Sequence, residues 1–396
     1  MTEQHRIVVL GAGYAGLAAA RRLAKKSRDT AITVVDTRAE FVERVRLHQE
    51  VAGQSIKHWD LRELLERKGI EFVQARVVEL DPVDKRVRLA DGGPLAESAT
   101  QPAVGGSRSD HSHAHDRDRA HDRDQPVRDL RYDTLVYALG SAADRSGVPG
   151  VAEYARPLAT PEEVRAVPAG PVVVVGAGAT GIELAAELAE AQQDSPVTLI
   201  SANEPGAWLS ERAVDGIRGT LTRLGVDIRA DAKVVEVLPD GVRLADGTTI
   251  PAVTTVWTAG FTVPDLARRA GLAVDERGRI RTDETLRSLS HPDIYAAGDA
   301  AVIAGPGDRE LRMACATAIP TGGYVATAII ARARGREPEP MKFRYYLQCI
   351  SLGRRDAVIQ FLHPDDTPGT RVLTGRTGAL VKELIVRGAG ISVGMR

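Results

Sequence analysis

Residues 7–20 read IVVLGAGYAGLAAA. Four apolar residues able to form a buried strand run into Gly11, Gly13 and Gly16, spaced as GxGxxG, and then into small residues that read as a helix. This is the order of a dinucleotide-binding turn. The first glycine allows the tight turn, the second lets a pyrophosphate approach the backbone, and the third lets helix and strand pack closely. The N–H groups opening the helix then face an anion. Twenty residues after Gly16, at the end of a second apolar run (AITVV), stands Asp36, placed to accept from a ribose hydroxyl.

The element recurs. Residues 171–188, PVVVVGAGATGIELAAEL, repeat the strand, Gly176, Gly178, Gly181 and the helix; DSPVTLIS then echoes DTAITVVD, each ending twenty residues after its third glycine. Two strand ends echo each other as well, LVYALG closing on Ala138 and Gly140 and TVWTAG on Ala259 and Gly260. This duplication predicts two dinucleotide sites on one chain. They are chemically unequal, because Ser201 stands where the first unit has Asp36. A ribose 2′-hydroxyl loses its usual acceptor there, and a 2′-phosphate is no longer repelled. No arginine follows until Arg212, so NADH and NADPH both stay open.

Working outward, 396 residues suggest two to three domains. A formal net charge of -1 projects no field toward nucleic acid or an anionic membrane. Cys315 and Cys349 form no CxxC pair, which excludes a disulfide scaffold and fits a reducing cytoplasm. No apolar run approaches the ~20 residues that span a bilayer. The expectation is a cytoplasmic protein, at most peripheral to a membrane, with a homodimer left open.

Arg44, Arg46 and His48 follow the second strand, on the side where a doubly wound sheet binds ligand; a solvated charged face is the equal alternative. Residues 60–68 read as a helix capped by Asp60, and 69–80 (GIEFVQARVVEL) as two strand segments, with a turn at Asp81-Pro82 before a third, KRVRLA. Residues 97–129 alternate His, Asp and Arg with almost no apolar residue and predict a flexible insertion in a hairpin; a metal on His111, His113 and His115 is the lesser reading beside a solvated loop. The link 148–170 reads as a boundary, and IYAAGD as a short strand ending in Gly298-Asp299, with a helix expected after a break at Pro320. Leu380, Val381, Leu384 and Ile385 have helical spacing and predict packing on the chain or on a second subunit rather than on a membrane.

Two GxGxxG units, the ALG and TAG strand ends and IYAAGD, in this order, resemble the flavoproteins related to pyridine nucleotide:disulfide oxidoreductases, and within them type II NADH dehydrogenases and apoptosis-inducing-factor-like quinone reductases. The resemblance implies an α/β protein with two Rossmann-like domains: an FAD domain (1–145 and 263–335), an inserted NAD(P)H domain (146–262) and a small α+β C-terminal region (336–396). It implies FAD along Gly11, Gly13, Tyr14, Ala15, Gly16, Asp36, Val77, Ala138, Gly140, Gly298, Asp299 and Pro320. NAD(P)H would lie along Gly176, Gly178, Thr180, Gly181, Ser201, Ala259 and Gly260. Glu183 resembles the family glutamate beside the nicotinamide, its other reading being an acid favoured by the helix dipole. Arg46 and His48 become candidates for the acceptor face, where disulfide reductases carry their cysteine pair; FVERVRLHQ has none, so a thiol relay is not expected. The glutamine pair that type II dehydrogenases carry after the GD motif is replaced by ATAIPTG. The implied activity is hydride transfer from NAD(P)H to FAD and on to a quinone-like or other small acceptor, in a ping-pong cycle. An oxidoreductase for one small metabolite and a redox sensor that recruits a partner are the alternatives.

Overall fold

The computed structural model describes residues 4–27, 30–91, 128–158, 167–192 and 194–395. The first sheet is seven-stranded, in the spatial order Ile294–Ala296, Thr134–Tyr137, His5–Leu10, Thr30–Asp36, Glu71–Asp81, Arg86–Asp91, Arg128–Arg131. Its first five strands in that order are parallel, pairing Ile7 with Ile32 and Ile294 with Leu135. The outer three form an antiparallel meander. Helix α1 (Tyr14–Lys26) covers one face; a short α2 (Leu47–Val51) and α3 (Leu61–Glu66) follow, and Asp60 caps α3 by accepting from the Glu63 N–H at 2.7 Å.

After α4 (Val151–Tyr154), a second, wholly parallel sheet runs Ala155–Pro157, Thr254–Trp257, Val172–Val175, Val197–Ile200, Asp227–Arg229, with α5 (Ala179–Ala191) and α6 (Glu211–Arg223) packed on it. The run Val172–Val175 is apolar at every position because a parallel strand covered on both faces has no solvent side. Beyond α7 (Leu266–Arg269), the chain returns with Ile294–Ala296 to the first sheet, so the second unit is inserted within the first. Helix α8 (Cys315–Ala333) then lies on α1, and Gly322 meets the Ala15 carbonyl so closely that a Cβ would overlap it. A three-stranded antiparallel sheet (Leu347–Ser351, Ala357–Leu362, Pro368–Leu373) and α9 (Gly375–Val393) close the chain.

Two cores result. One joins α1, the first sheet and α8. The other joins the second unit to α2 through Leu47 and Val51, and to the C-terminal sheet through Ile350, Leu352 and Val358. Three distant stretches of sequence therefore meet beside α5.

Two expectations change. Residues 71–81 form one strand, Glu71–Asp81, whose register with its neighbour shifts between Val77 and Glu79; a bulge keeps the ladder continuous where two segments were expected. Helix α8 runs through Pro320 without a break. The hydroxyls of Thr317 and Thr321, which flank the proline in sequence, donate to carbonyls that all precede it, Arg312 and Ala314 for the first, Thr317 and Ala318 for the second. On α9 the side facing the chain uses Gly378, Val386, Gly390 and Val393, leaving Leu380 63% and Leu384 59% exposed. The His-rich segment and its His111, His113 and His115 fall outside the described residues, although the strands flanking it pair, Leu89 opposite Arg128.

Candidate active site

The two glycine turns are geometric copies. Gly11 (φ 94°) and Gly176 (φ 102°) both take the left-handed conformation that favours glycine. A Cβ at Gly11 would overlap the Ala138 carbonyl, and one at Gly176 would lie 2.8 Å from the Ala259 nitrogen. A Cβ at Gly16 would overlap the Gly11 carbonyl oxygen, and one at Gly181 that of Gly176. Around the middle glycines, Gly13 and Gly178, a Cβ would meet nothing within 4 Å. Each turn is thus closed on its strand and helix and open at the helix N-terminus, where N–H groups await an anion.

At the first turn, Asp36 accepts from the Ala12 N–H at 2.7 Å through one oxygen and from the Arg38 N–H at 3.0 Å through the other; each keeps a lone pair for a further donor. Gly298 (φ 69°) abuts Ala15, its N–H donating to Thr321 Oγ1 at 3.1 Å, and Asp299 accepts from Ser141 Oγ at 2.7 Å. Arg44 donates to the Ser141 carbonyl at 2.9 Å, beside Gly140. Tyr14 is buried edge-on against Phe41, its hydroxyl without a partner among the described residues and held protonated by burial. Val77 lies three residues beyond Gln74, the partner of Asp36, and Pro320 lies one turn into α8. An open turn, a free carboxylate edge and an unpartnered buried hydroxyl fit a dinucleotide such as FAD.

At the second turn, Ser201 is half-buried at the end of Val197–Ile200; its N–H donates to the Arg229 carbonyl at 2.9 Å, and its Oγ accepts weakly from the Asn203 N–H at 3.4 Å. The nearby Glu204 is engaged by Arg218 through both oxygens, at 2.8 and 2.5 Å. Thr180 is half-buried in the opening turn of α5. Gly260 (φ 86°) sits against Asp144, and the following Phe261–Thr262 pairs with Ala142–Ala143, tying the two units together beside both turns.

Glu183 is in the second turn of α5, beyond reach of most of the helix-end dipole. It is buried, accepting from the Ser351 N–H at 3.0 Å and from Lys382 Nζ on α9, with His48 Nδ1 3.7 Å away. Burial alone would raise its pKa, but Lys382 and the Ser351 N–H outweigh burial and hold it below the usual carboxylate range. Lys382 mirrors this: burial pulls its pKa down, Glu183 pulls it up more strongly, and the ammonium persists. His48 is pushed down to about 4, chiefly by burial against α5, so the ring is neutral near pH 7 and its contact with Glu183 is polar rather than ionic.

Arg46 and His48, two residues apart, part company. His48 is buried with Nε2 unpartnered, whereas Arg46 faces a cavity of about 300 Å³ between α9 and the turn after Leu347–Ser351. Arg46 binds Glu383 at 2.8 Å and Glu43 at 3.3 Å, fastening residues 43–46 to α9. Lys382 and Ser351 line the same cavity, with Glu183 paired to Lys382 behind that wall. Sequence reasoning missed Lys382: a lysine on an amphipathic helix looks like any solvated one, and only the C-terminal sheet buries it.

Two open glycine turns on linked parallel sheets, with a polar cavity alongside, define a two-dinucleotide oxidoreductase. The sequence profile of the pyridine nucleotide-disulphide oxidoreductases matches residues 5–322, and the chain belongs to this family. It is an oxidoreductase, with FAD as cofactor and NAD(P)H as co-substrate. An NADH dehydrogenase-like protein of Mycobacterium tuberculosis is 27% identical over 89% of this chain and 87% of its own. A type II NADH:quinone oxidoreductase of Staphylococcus haemolyticus is 25% identical over 99% and 96%. The structure of NDH2 from Plasmodium falciparum in complex with NADH superposes with a TM-score of 0.77 at 13% identity, covering 99% of this chain and 97% of that one. Among the described residues no helix is long and apolar enough to cross a membrane, and no group of three or more His, Cys, Asp or Glu could hold a metal.

Proposed function

We propose that the chain is an NAD(P)H:quinone-type oxidoreductase with FAD on the Gly11–Gly16 turn, NAD(P)H on the Gly176–Gly181 turn and the acceptor in the cavity against α9. The observation that carries this reading is the charged Glu183–Lys382 pair buried between α5 and the cavity. When bound, FAD takes a hydride from NAD(P)H and returns two electrons to the acceptor. The unequal turns support the order: Asp36 suits a resident adenosine ribose, whereas Ser201 leaves the second site more permissive.

The chain's own residues manage the proton. Quinone, NAD(P)H and one proton give quinol and NAD(P)+, so a proton donor is needed where the acceptor oxygen arrives. Lys382 Nζ carries one at the cavity wall, held there by Glu183, and Glu183 in turn is oriented by the Ser351 N–H. The neutral His48 imidazole fills the space behind Glu183 without adding a competing charge.

Anaerobic addition of NADH to the FAD-loaded protein should bleach the flavin, and a soluble naphthoquinone should restore its colour. Lys382→Met should slow the second step more than the first. A protein that cannot be reconstituted with FAD, or whose flavin NADH and NADPH both leave oxidised, refutes the reading.

A further inference from the structure

The acceptor cavity has a charge pattern that a neutral ring does not require. Its lining carries five cations, Arg46, Arg354, Arg355, Arg376 and Lys382, against one carboxylate, Glu383. Two of these cations are spoken for, Arg46 by Glu43 and Glu383 and Lys382 by Glu183. For Arg354, Arg355 and Arg376, no carboxylate among the described residues lies within ion-pair distance. Glu190 is satisfied by the Arg354 backbone N–H, and Asp356 by Arg223, Thr220 and the N–H groups of Ala357 and Gly375. Glu187, the other acid near Arg354, is buried and held toward its neutral form.

The three guanidiniums are placed by the backbone. Arg354 and Arg355 project from the turn that Gly353 (φ 82°) permits, and Arg376 is the second residue of α9. A cation in the opening turn of a helix opposes the helix dipole, so its position does not serve α9 itself. Between them Val45, Ala379, Leu380 and Val386 supply an apolar wall. A guanidinium binds carboxylate or sulfonate in a two-pronged fork, and a cleft lined by one sign of charge concentrates the opposite sign.

We infer that this cavity selects an acceptor with a flat apolar ring bearing an anionic group, a carboxylate or sulfonate, held by Arg354, Arg355 and Arg376 while the ring lies against Leu380 above Lys382. The inference rests on the proposed acceptor site and narrows its substrate class.

The test measures binding of naphthalene-2-sulfonate and of uncharged 2-naphthol to the FAD-loaded protein by calorimetry, and their inhibition of naphthoquinone reduction. The sulfonate should bind at least tenfold more tightly, compete with the quinone and weaken as salt is raised. Arg376→Gln and Arg354→Gln should each lose about tenfold in sulfonate affinity, and Arg376→Lys less. Equal binding of the two probes, or sulfonate binding indifferent to the substitutions, overturns the inference. So does arginine-dependent binding to phosphatidylglycerol vesicles with none to the free sulfonate, which would assign the cations to a lipid surface. Flavin bleaching by NADH in the unaltered protein, recorded in parallel, separates the two failures: without it the functional reading falls, and with it this inference alone is at stake.

Discussion

Glu183→Gln removes the only carboxylate that Lys382 contacts directly among the described residues, leaving the buried ammonium with the Cys349 carbonyl at 3.4 Å. Breaking a buried ion pair from one side costs about 3–5 kcal/mol, because the surviving charge stays desolvated and uncompensated. Against a total stability of about 5–15 kcal/mol, such a loss is visible in any denaturation experiment. Lys382→Met should cost a similar amount by stranding Glu183, whose remaining fixed donor is the Ser351 N–H at 3.0 Å. The double variant Glu183→Gln/Lys382→Met strands no charge, so it should be more stable than either single variant. The coupling from the cycle of four proteins should therefore exceed the loss in either single variant, more than about 3 kcal/mol. The pH dependence follows from the two shifts. The depressed Glu183 pKa gives stability that is present above the usual carboxylate range and lost as pH falls through the folded value. The raised Lys382 pKa gives stability that is present below the usual lysine range and lost as pH rises through the folded value. The pair therefore stabilises across neutral pH and fails at both extremes. Urea denaturation at saturating FAD, at pH 7, measures all four proteins. Single variants within about 1 kcal/mol of the parent, or a double variant as weak as the two losses added, would falsify the claim that the pair is buried and mutually dependent.

The middle glycines face open space, so Gly13→Val should fold but release FAD, and Gly178→Val should retain FAD while raising KM for the nicotinamide; Gly16→Val, pressed on the Gly11 carbonyl, should instead fail to give soluble protein. Visible spectra and steady-state kinetics distinguish the three, and FAD retained in Gly13→Val contradicts the assignment. Ser201→Asp restores the carboxylate that the second site lacks and should lower the NADPH-to-NADH ratio of kcat/KM by about tenfold, roughly 1.4 kcal/mol; an unchanged ratio places the ribose elsewhere. His48 titrates near pH 4 when folded and near its ordinary value, about 6.5, when unfolded, so the unfolded chain takes up the proton first. Stability should therefore fall as pH drops from about 6.5 toward about 4, and His48→Gln should flatten that slope; parallel urea midpoints for both proteins across this range would show the ring is not buried neutral.

What could be read in advance is what one stretch of chain determines by itself. The roles of Gly11 and Gly16 depend on a strand, a turn and a helix contiguous in sequence, and the repeat at Gly176 and Gly181 follows from the same local spacing. The return of Ile294–Ala296 to the first sheet adds only the order in which such units must close. The cavity is different. Glu183 and Lys382 are 199 residues apart, and nothing near either marks it as half of a pair. Arg46 and His48 looked alike as charged-face candidates, yet the one-sided packing of α2 on α5 buries His48 as a neutral ring and leaves Arg46 at the cavity. Net charge is silent on such a cavity for a related reason. A total of -1 averages over the whole chain, whereas a ligand responds to charges within about a Debye length, ~10 Å at 0.1 M salt. Arg354, Arg355 and Arg376 meet in that range only because a tight turn at Gly353 and the start of α9 close on the same cavity. The electrostatic character of the proposed acceptor site is thus a property of tertiary closure, and a chain of nearly zero net charge can still present a cationic cavity.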